Sequence, residues 1–388
     1  MQVKHPQVLI TGLYIYPGQI GGTEQYLYNL LRGFAENGYA PQVEIWLNQA
    51  FKTRFPPIIY QFERRYFQLN VSRTWYDLVL PTLDKAHFKH KDVLFCPNYL
   101  APLYPTGSQV GIATTIHDLQ FRHYPEFFHR RWRAWQTFAH GHALRRSQAI
   151  VCISDFVRND FLRVYGDKYA HKLHVIPNPI DWLSRFQIVE EQGSAKPFPF
   201  PYILSVAAMY PHKNTLTLVK AFEQIQAKYP ELRLVLVGQL TDSLKGGKYA
   251  QYSTQLQELI SGNPAIIQTG FIDDVNLGSL YAHCAFFVFP SLFEGFGMPA
   301  VEAMSFGKPV LTSRRTSLHE VTLYKAQYIE DPMNVNEVAT RMAFIYDKLS
   351  HFTAEAQQLA PIIRQQYAPG VVAQQYQALF EKIAGGGK

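Results

Sequence analysis

The sequence is poor in the features that mark secreted and membrane-spanning proteins. It has three cysteines, Cys96, Cys152 and Cys284, which lie far apart and form no C-x-x-C pair. This spacing argues against a disulfide framework and fits a reducing compartment. No run of about 18 apolar residues occurs, and the first residues lack the long apolar stretch of a signal peptide. We therefore expect a cytoplasmic protein without a membrane span.

Motifs for metal, nucleic-acid and dinucleotide binding are absent as well. The sequence has no D-x-D and no histidine–cysteine cluster at metal-ligand spacing, so we predict no metal cofactor. It has no helix-turn-helix, zinc-finger or RNP-like pattern, so nucleic acid is not an expected partner. The segment "TGLYIYPGQIGG", at the end of the first strand-like run, does not supply the G-x-G-x-x-G of a dinucleotide oxidoreductase.

Negative charge is scarce in the first half of the chain. Residues 1–199 hold 22 lysines and arginines against 15 aspartates and glutamates, whereas residues 200–388 hold 15 of each. The positive excess gathers with aromatic residues in "QFERRYFQL" (61–69) and "FHRRWRAWQ" (128–136). Two solvated helix faces would explain such runs. An anionic partner would also explain them, either a membrane surface or a phosphate-bearing acceptor.

Two series of alternating strand-like and helical segments fill the chain. Continuous apolar runs extend from "QVLITG" (7–12) to "LHVIPN" (173–178), and again from "YILSVA" (202–207) to "AQYIED" (326–331). Such runs are typical of parallel strands that helices cover on both faces. We predict an α/β protein with two doubly wound, Rossmann-like domains that face a cleft.

The predicted domain boundaries follow this repetition. The first domain covers residues 1–185 and the second covers residues 201–367, with a polar, then proline-rich linker at 186–200. A last helix is expected within residues 368–385. Doubly wound sheets bind ligands beyond the carboxyl ends of their strands. Candidate functional residues are therefore those that follow the predicted strands.

The stretch "SLFEGFGMPAVEAMSFGKPVLTS" (291–313) has two glutamates around a glycine-rich turn. Pro299 suits the first turn of a helix, which would put Glu302 in that turn and Glu294 in the preceding loop. Free N–H groups at a helix start attract phosphate, and carboxylates accept hydrogen bonds from sugar hydroxyls. A nucleotide sugar has a diphosphate between two polyols. Taken alone, each glutamate is better explained by the roughly 0.3–1 kcal/mol that an acid contributes at a helix start.

Together these residues resemble a known family. "EGFGMPAVE" (294–302) is similar to the E-x₇-E motif of glycosyltransferase family 4, which contains retaining glycosyltransferases of the GT-B fold. Other segments follow in the family's order, namely "GGTEQYLYNLLRGFAENGY" (21–39), "TIHDLQFRHYPEFF" (115–128), "VCISDFVRNDFLRVYG" (151–166), "HVIPNPID" (174–181), "ILSVAAMYPHKN" (203–214) and "YAHCAFFVFPSLFEGFGMP" (281–299). The resemblance covers nearly the whole chain. In this fold the chain end crosses back to the first domain, where we expect the last helix to pack.

The resemblance implies roles in binding the sugar donor. Glu302 would hold the ribose hydroxyls, and Glu294 would contact hydroxyls of the donor sugar. Lys213 would neutralise the charge on the departing diphosphate. The backbone amides of the turn would meet the sugar or the phosphates, and its residues are Gly295, Phe296, Gly297 and Met298.

The resemblance also implies roles in the first domain. His117 would contact the donor sugar near the reacting carbon, with Asp118 holding its orientation, so that these two residues and Glu294 are the predicted catalytic set. Gly21 and Gly22 would let their loop reach the phosphates and the acceptor. Glu24 would either contact the acceptor or cap its own helix.

One position departs from the family pattern. Many relatives have an arginine where this chain has Ala208, so one phosphate contact is missing or comes from another residue. His212, Arg314 and Arg315 are the candidates to supply it.

The resemblance implies a metal-independent reaction with a nucleotide-diphosphate sugar as donor. The expected acceptor is a glycan or a polyprenyl-linked glycan of a bacterial surface polysaccharide or O-antigen, with mannose or rhamnose as the sugar. The enzyme would work in the cytoplasm, peripherally on the inner face of the membrane. Two alternatives remain open from the sequence: a non-catalytic nucleotide-sugar-binding protein, and a nucleotide-sugar epimerase of the same architecture.

Overall fold

The computed structural model describes residues 5–15, 21–52, 57–68, 78–79, 87–103, 110–186, 196–240 and 249–386. Residues 187–195, which make up most of the predicted linker, lie outside this described part. The chain divides into two compact units. The first unit contains residues Met1–Ile180 and Tyr367–Lys388, and the second contains residues Asp181–Gln366.

The first unit is built on a parallel sheet with the strand order β3-β2-β1-β4-β5-β6-β7. Its strands are β1 (Val8–Gly12), β2 (Val43–Asn48), β3 (Glu63–Phe67), β4 (Val93–Cys96), β5 (Gly111–Ile116), β6 (Ala149–Cys152) and β7 (Leu173–Val175). Every residue of β1, β2, β4, β5 and β6 is buried. Helices cover these strands because their apolar side chains must leave water on both faces.

Helices of the first unit precede or follow these strands. They are α1 (Gly22–Glu36), α2 (Gln120–His123), α3 (Arg130–Arg146) and α4 (Asp155–Tyr165), together with the 3₁₀ segments Ala40–Gln42, Gln49–Lys52, Pro57–Gln61, His87–His90, Pro125–Phe127 and Asp167–Lys172. In α1 the buried Tyr26, Leu30 and Phe34 recur every four residues and share a core with side chains of strands β1, β2 and β4. This recurrence is typical of an amphipathic helix.

The second unit repeats the plan with the strand order β10-β9-β8-β11-β12-β13, again all parallel. Its strands are β8 (Tyr202–Val206), β9 (Arg233–Val237), β10 (Ile266–Gly270), β11 (Phe286–Phe289), β12 (Val310–Ser313) and β13 (Gln327–Ile329). Its helices are α5 (Thr215–Gln226), α6 (Ala250–Gly262), α7 (Asp274–His283), α8 (Met298–Ser305), α9 (Leu318–Val321), α10 (Val335–Asp347) and α11 (Leu349–Gln366), with a 3₁₀ turn at Pro211–Lys213. The two helix-covered parallel sheets confirm the predicted α/β class.

The last helix, α12 (Pro369–Gly385), packs in the first unit. It lies so close to α1 that a Cβ at Gly33 would be 2.0 Å from the Pro369 carbonyl oxygen. Tyr376 is fully buried in the same core as α1, and its hydroxyl lies 2.6 Å from that of Tyr26. The end of the chain therefore completes the core of the first unit, as the resemblance implied.

Candidate active site

The loop that contains Glu294 follows strand β11 and is held from the end of strand β12. The Ser317 hydroxyl donates to the Glu294 carbonyl oxygen at 2.9 Å and contacts the Phe296 carbonyl oxygen at 3.1 Å. The Thr316 hydroxyl accepts from the Glu294 amide at 3.1 Å. Thr316 has φ 57°, which is an uncommon conformation for a β-branched residue. These contacts fix the loop backbone and therefore the position of the Glu294 Cα.

Helix α8 begins directly after this loop, at Met298. Gly297 has φ 91°, and a Cβ there would approach the Leu318 side chain to 2.5 Å, so glycine is required. Pro299 is the second helical residue, where its missing N–H costs no hydrogen bond. Glu302 is therefore the fifth residue of α8. The prediction that Glu302 lies in the first turn was wrong, because the helix begins one residue before the proline.

The Glu302 carboxylate is buried and contacts two side chains that the sequence analysis did not identify. One oxygen accepts from the Arg185 guanidinium, and the other accepts from the Tyr281 hydroxyl at 2.9 Å. The Glu302 side chain is 4% exposed. An unpaired buried carboxylate would be strongly destabilising, so the arginine compensates its charge. No local sequence signal marked Arg185, because the pair joins residues 117 positions apart.

Lys213 contacts the other glutamate of the motif. It ends the 3₁₀ turn that follows strand β8, and its Nζ lies 2.6 Å from Glu294 Oε1. The Lys213 ammonium also lies 5.5 Å from the centre of the Phe289 ring. The Leu292 amide donates to the His212 carbonyl oxygen at 2.7 Å and thereby joins the two loops. The structure thus brings a cation and a carboxylate together beside the glycine-rich loop.

The three candidates for the missing arginine differ in their surroundings. Burial, reinforced by the charge of Lys213, lowers the pKa of His212 to about 2, so that its ring is neutral at physiological pH. Arg314 Nε lies 2.7 Å from Glu330, and Arg315 Nη2 lies 3.3 Å from Asp331; all four of these side chains are exposed. None of the three is an unpaired cation. Replacement of the arginine by one of them stays a prediction.

His117 lies in the first unit, directly after strand β5. Its Nε2 lies 2.9 Å from the Pro97 carbonyl oxygen, and its ring packs edge-on against Tyr26 with 5.1 Å between the ring centres. Burial lowers the pKa of His117 to about 4, although the Pro97 carbonyl opposes the shift. Asp118 Oδ1 accepts from the Gln120 amide at 2.9 Å. The neutral ring of His117 therefore has a fixed position, and the orienting role of Asp118 stays a prediction.

The glycines predicted near the donor phosphates begin helix α1. Gly21 precedes the helix with φ 55°, and Gly22 is its first residue. Both are exposed, and no atom of the described residues lies within 4 Å of where a Cβ would stand on either. Glu24 is 8% exposed and accepts from the Tyr28 hydroxyl at 2.8 Å. Gly21 is thus exposed and its contact with a ligand stays a prediction, whereas Glu24 has a partner within its own helix.

Two further searches covered the described residues. No group of three or more histidine, cysteine, aspartate or glutamate side chains among them could hold a metal ion. Within the same residues, no helix has the length and apolar character needed to cross a bilayer.

Two family models match the chain one after the other. Residues 20–182 match the model described as Glycosyltransferase Family 4, and residues 188–357 match the model described as Glycosyl transferases group 1. Among curated proteins, the chain is 30% identical over 243 residues to O-antigen chain mannosyltransferase B of Escherichia coli, a match that spans 59% of this chain and 59% of the relative. It is 25% identical to O-antigen chain mannosyltransferase RfbU of Salmonella typhimurium, a match that spans 61% and 62%.

Solved structures share the fold over nearly the whole chain. HepE from Anabaena, solved in complex with UDP and glucose, matches with a TM-score of 0.73 and 20% identity over 97% of this chain and 100% of its own. WaaG, a glycosyltransferase involved in lipopolysaccharide biosynthesis, matches with a TM-score of 0.68 and 16% identity over 95% and 99%. Because both family models match in order and the fold is that of the GT-B enzymes, the chain belongs to glycosyltransferase family 4.

Proposed function

We propose that this protein is a retaining glycosyltransferase that moves mannose or rhamnose from a nucleotide-diphosphate sugar to a glycan or polyprenyl-linked acceptor of a bacterial surface polysaccharide. The names of the two O-antigen chain mannosyltransferases among its relatives favour mannose and favour O-antigen. In this reaction the acceptor oxygen bonds to the anomeric carbon while the bond from that carbon to phosphate breaks. The departing phosphate accepts the acceptor's proton, and the new bond keeps the anomeric configuration.

The contact between Lys213 and Glu294 is the observation that carries this proposal. An ammonium has three N–H donors, and the 2.6 Å bond to Glu294 uses one of them. The others can meet phosphate oxygens, and positive charge there stabilises the departing diphosphate. Glu294, as an acceptor, suits the hydroxyls of the donor sugar. The amides of Gly295, Phe296, Gly297 and Met298 add donors at the start of α8.

The remaining roles follow the family's pattern. Glu302 accepts from the ribose hydroxyls. His117, which is neutral because burial lowers its pKa to about 4, contacts the sugar near the reacting carbon without adding a positive charge. Asp118 supports His117, and the open backbone at Gly21 and Gly22 lets a ligand approach. Lys213 supplies the positive charge for a reaction that needs no metal ion.

Transfer from labelled sugar nucleotides tests the proposal directly. GDP-mannose, UDP-glucose and dTDP-rhamnose are supplied with a lipid-linked glycan acceptor, with and without EDTA, and the product's anomeric configuration is determined by NMR. We expect transfer from one donor, unaffected by EDTA, with retention. Lys213→Met should lower kcat by about 10²-fold or more. Lys228→Met is the matched control, because Lys228 pairs with Asp347 on the exposed surface of the same unit.

The outcomes separate the alternatives. Nucleotide binding without transfer would favour a non-catalytic binding protein, and sugar isomerisation without transfer would favour an epimerase. Equal losses in the Lys213 and Lys228 variants would show that Lys213 has no special role. Failure to bind any of these nucleotides would contradict the proposal as a whole.

We also propose that helix α3 attaches the protein to the cytoplasmic face of an anionic membrane. Trp132 and Phe138 on this helix are 42% and 49% exposed, and Arg130, Arg131 and Arg145 are exposed as well. Aromatic and basic side chains on one surface helix suit the interface of a bilayer with negative lipids. The basic cluster at 61–69 is less suited to bind lipid, because its arginines already contact aromatic rings. Arg65 lies over the Trp46 ring and Arg64 lies over the Tyr60 ring.

Sedimentation with vesicles tests the membrane proposal. Binding to vesicles of phosphatidylglycerol and phosphatidylcholine should exceed binding to phosphatidylcholine alone and should weaken as salt rises. The double variant Trp132→Ser/Phe138→Ser should bind less. Phe271→Ser, which changes an aromatic residue that is 81% exposed in the second unit, is the control. Equal binding to both vesicle types, or no effect of the double variant, would remove the proposal.

A further inference from the structure

The segment 181–186 places Arg185 in contact with Glu302, the second glutamate of the motif. Phe186, the next residue, is buried, and its ring centre lies 5.9 Å from that of Tyr281 in helix α7. A Cβ at Gly278 in the same helix would come within 2.8 Å of the Phe186 Cβ, so this glycine makes room for the phenylalanine. The buried neighbour anchors the backbone from which the Arg185 side chain extends.

The Arg185 guanidinium lies between two carboxylates of the second unit. Its Nε is 2.9 Å from Asp274 Oδ1 in the first turn of α7, and its Nη1 donates to Glu302 Oε1 in α8. The guanidinium also lies over the Phe186 ring, 4.7 Å from its centre. The Arg185 side chain is 16% exposed. A planar guanidinium with two anchoring carboxylates and a ring beneath it has little freedom to turn.

The contacts of Glu302 leave its carboxylate with capacity for two more donors. An ionised carboxylate offers about four acceptor positions. Arg185 takes one at Oε1, and the Tyr281 hydroxyl takes one at Oε2, at 2.9 Å. The remaining capacity is thus divided between the two oxygens. A vicinal cis-diol, such as the 2′- and 3′-hydroxyls of ribose, offers two donors side by side.

We propose that Arg185 is a positioning residue that, together with Tyr281, orients Glu302 for two hydrogen bonds from ribose and so selects ribonucleoside diphosphates over 2′-deoxyribonucleoside diphosphates. The inference rests on the proposed function of Glu302. It also narrows the donors proposed above to GDP- and UDP-sugars, because the nucleoside of dTDP-rhamnose contains 2′-deoxyribose. A 2′-deoxyribose leaves one acceptor of a buried carboxylate without a donor, and such sites reject the analogue that lacks the hydroxyl. The site can distinguish ribose from 2′-deoxyribose only if the Glu302 carboxylate cannot rotate until both of its oxygens accept from the remaining 3′-hydroxyl. The bond from Arg185 prevents this rotation.

Calorimetry on the full chain with matched nucleotide pairs tests the inference. The probes are GDP with 2′-deoxy-GDP and UDP with 2′-deoxy-UDP, and the ratio of the two Kd values within the better-bound pair is the readout. For the unaltered protein we expect the ribonucleotide to bind about tenfold more tightly or better. Arg185→Met, which keeps an unbranched apolar side chain but removes the guanidinium, should bring this ratio close to one. Arg185→Lys should restore part of it.

A neighbouring arginine supplies the control. Arg364 stacks on Trp182 of the same segment, 3.7 Å from the ring centre, and donates to the Ser305 carbonyl oxygen at the end of α8. It anchors the same segment through a backbone carbonyl rather than through Glu302. Arg364→Met should therefore leave the ribose-to-deoxyribose ratio unchanged. If Arg185→Met does not fold, as judged by circular dichroism, the ratio measured for Arg185→Lys decides.

Each outcome has a definite meaning. The inference is overturned if the Kd ratio of deoxyribonucleotide to ribonucleotide is near one in the unaltered protein, or if this ratio is unchanged in the Arg185 variants. In both cases the proposed function still stands, provided that the ribonucleotide binds. Tighter ribonucleotide binding in Arg185→Met also overturns it, since Arg185 would then compete with ribose for Glu302. If neither member of any pair binds to the unaltered protein, the proposed function of Glu302 fails, and the inference fails with it.

Discussion

At the scale of single residues, buried histidines make the stability of this protein depend on pH. His140 in helix α3 is 1% exposed and stacks on Tyr99 with 4.4 Å between ring centres. Burial lowers its pKa to about 4; the Gln136 carbonyl opposes this shift, and the charge of Arg122 adds to it. The unfolded chain, with a histidine pKa of about 6.5, therefore binds a proton at a pH where the folded chain does not. Stability falls as the pH drops from about 6.5 towards 4.

His140→Phe should reduce this loss of stability in acid. Phenylalanine keeps a ring against Tyr99 but cannot bind a proton. The free energy of unfolding should fall by about 2 kcal/mol less between about pH 7 and about pH 5 in the variant than in the unaltered protein. Urea unfolding at both pH values measures the difference. His129→Phe, at the exposed residue before α3, is the control for the exchange of a histidine for a phenylalanine. Identical acid losses in all three proteins would count against a neutral, buried His140.

The residues of the site divide into those that a motif marks and those that only a contact reveals. Lys213 and Glu294 were named from the sequence, and the structure brings them to 2.6 Å. Arg185 and Tyr281 were not named. They reach Glu302 from positions 117 and 21 residues away. No pattern in their local sequences shows that they contact Glu302. The E-x₇-E motif identifies the loop and its glutamates. The residues that contact these glutamates depend on how segments distant in sequence pack together, which a motif does not show.

At the scale of elements, the join between strand β11 and helix α8 depends on one glycine. The sequence predicted the strand, the turn and the helix there, but it placed the helix start at Pro299. The left-handed conformation of Gly297 starts the helix one residue earlier, and Glu302 is consequently beyond the four free N–H groups. Propensity alone could not predict this, because the proline is acceptable at either of the first helical positions.

Gly297→Ala should disturb both stability and donor binding. A methyl group would be 2.5 Å from the Leu318 side chain, in a backbone conformation that costs alanine about 1–2 kcal/mol. We expect the free energy of unfolding to fall by at least that amount and the nucleotide Kd to rise, because the loop amides and Glu294 shift together. Gly262→Ala is the control, since this glycine ends α6 and nothing lies within 4 Å of its would-be Cβ. Equal effects of the two substitutions would contradict a special role for Gly297.

At the scale of the whole molecule, the chain completes its first unit only after it has finished the second. Ile180 and Tyr367, where the chain leaves and re-enters the first unit, are joined by a backbone hydrogen bond of 2.8 Å. The alternation of strands and helices predicted both sheets from sequence. Only the family resemblance implied that α12 packs in the first unit. Its partner α1 lies at the other end of the chain, and no local sequence pattern connects the two helices.

The two cores should therefore respond separately to substitutions inside them. Tyr376→Ala removes a fully buried ring of α12 from the first core, at a cost of about 3–5 kcal/mol. Hydrogen exchange should then accelerate in α1, β4 and β5, which surround this ring, while β8 and β11 in the second unit keep their protection. Phe352→Ala, in the second core, should give the converse pattern. If Tyr376→Ala loosened both sheets equally, the last helix would have to support the whole chain, not the first unit alone, and truncations at the carboxyl end would impair donor binding as severely as substitutions in the glutamate loop.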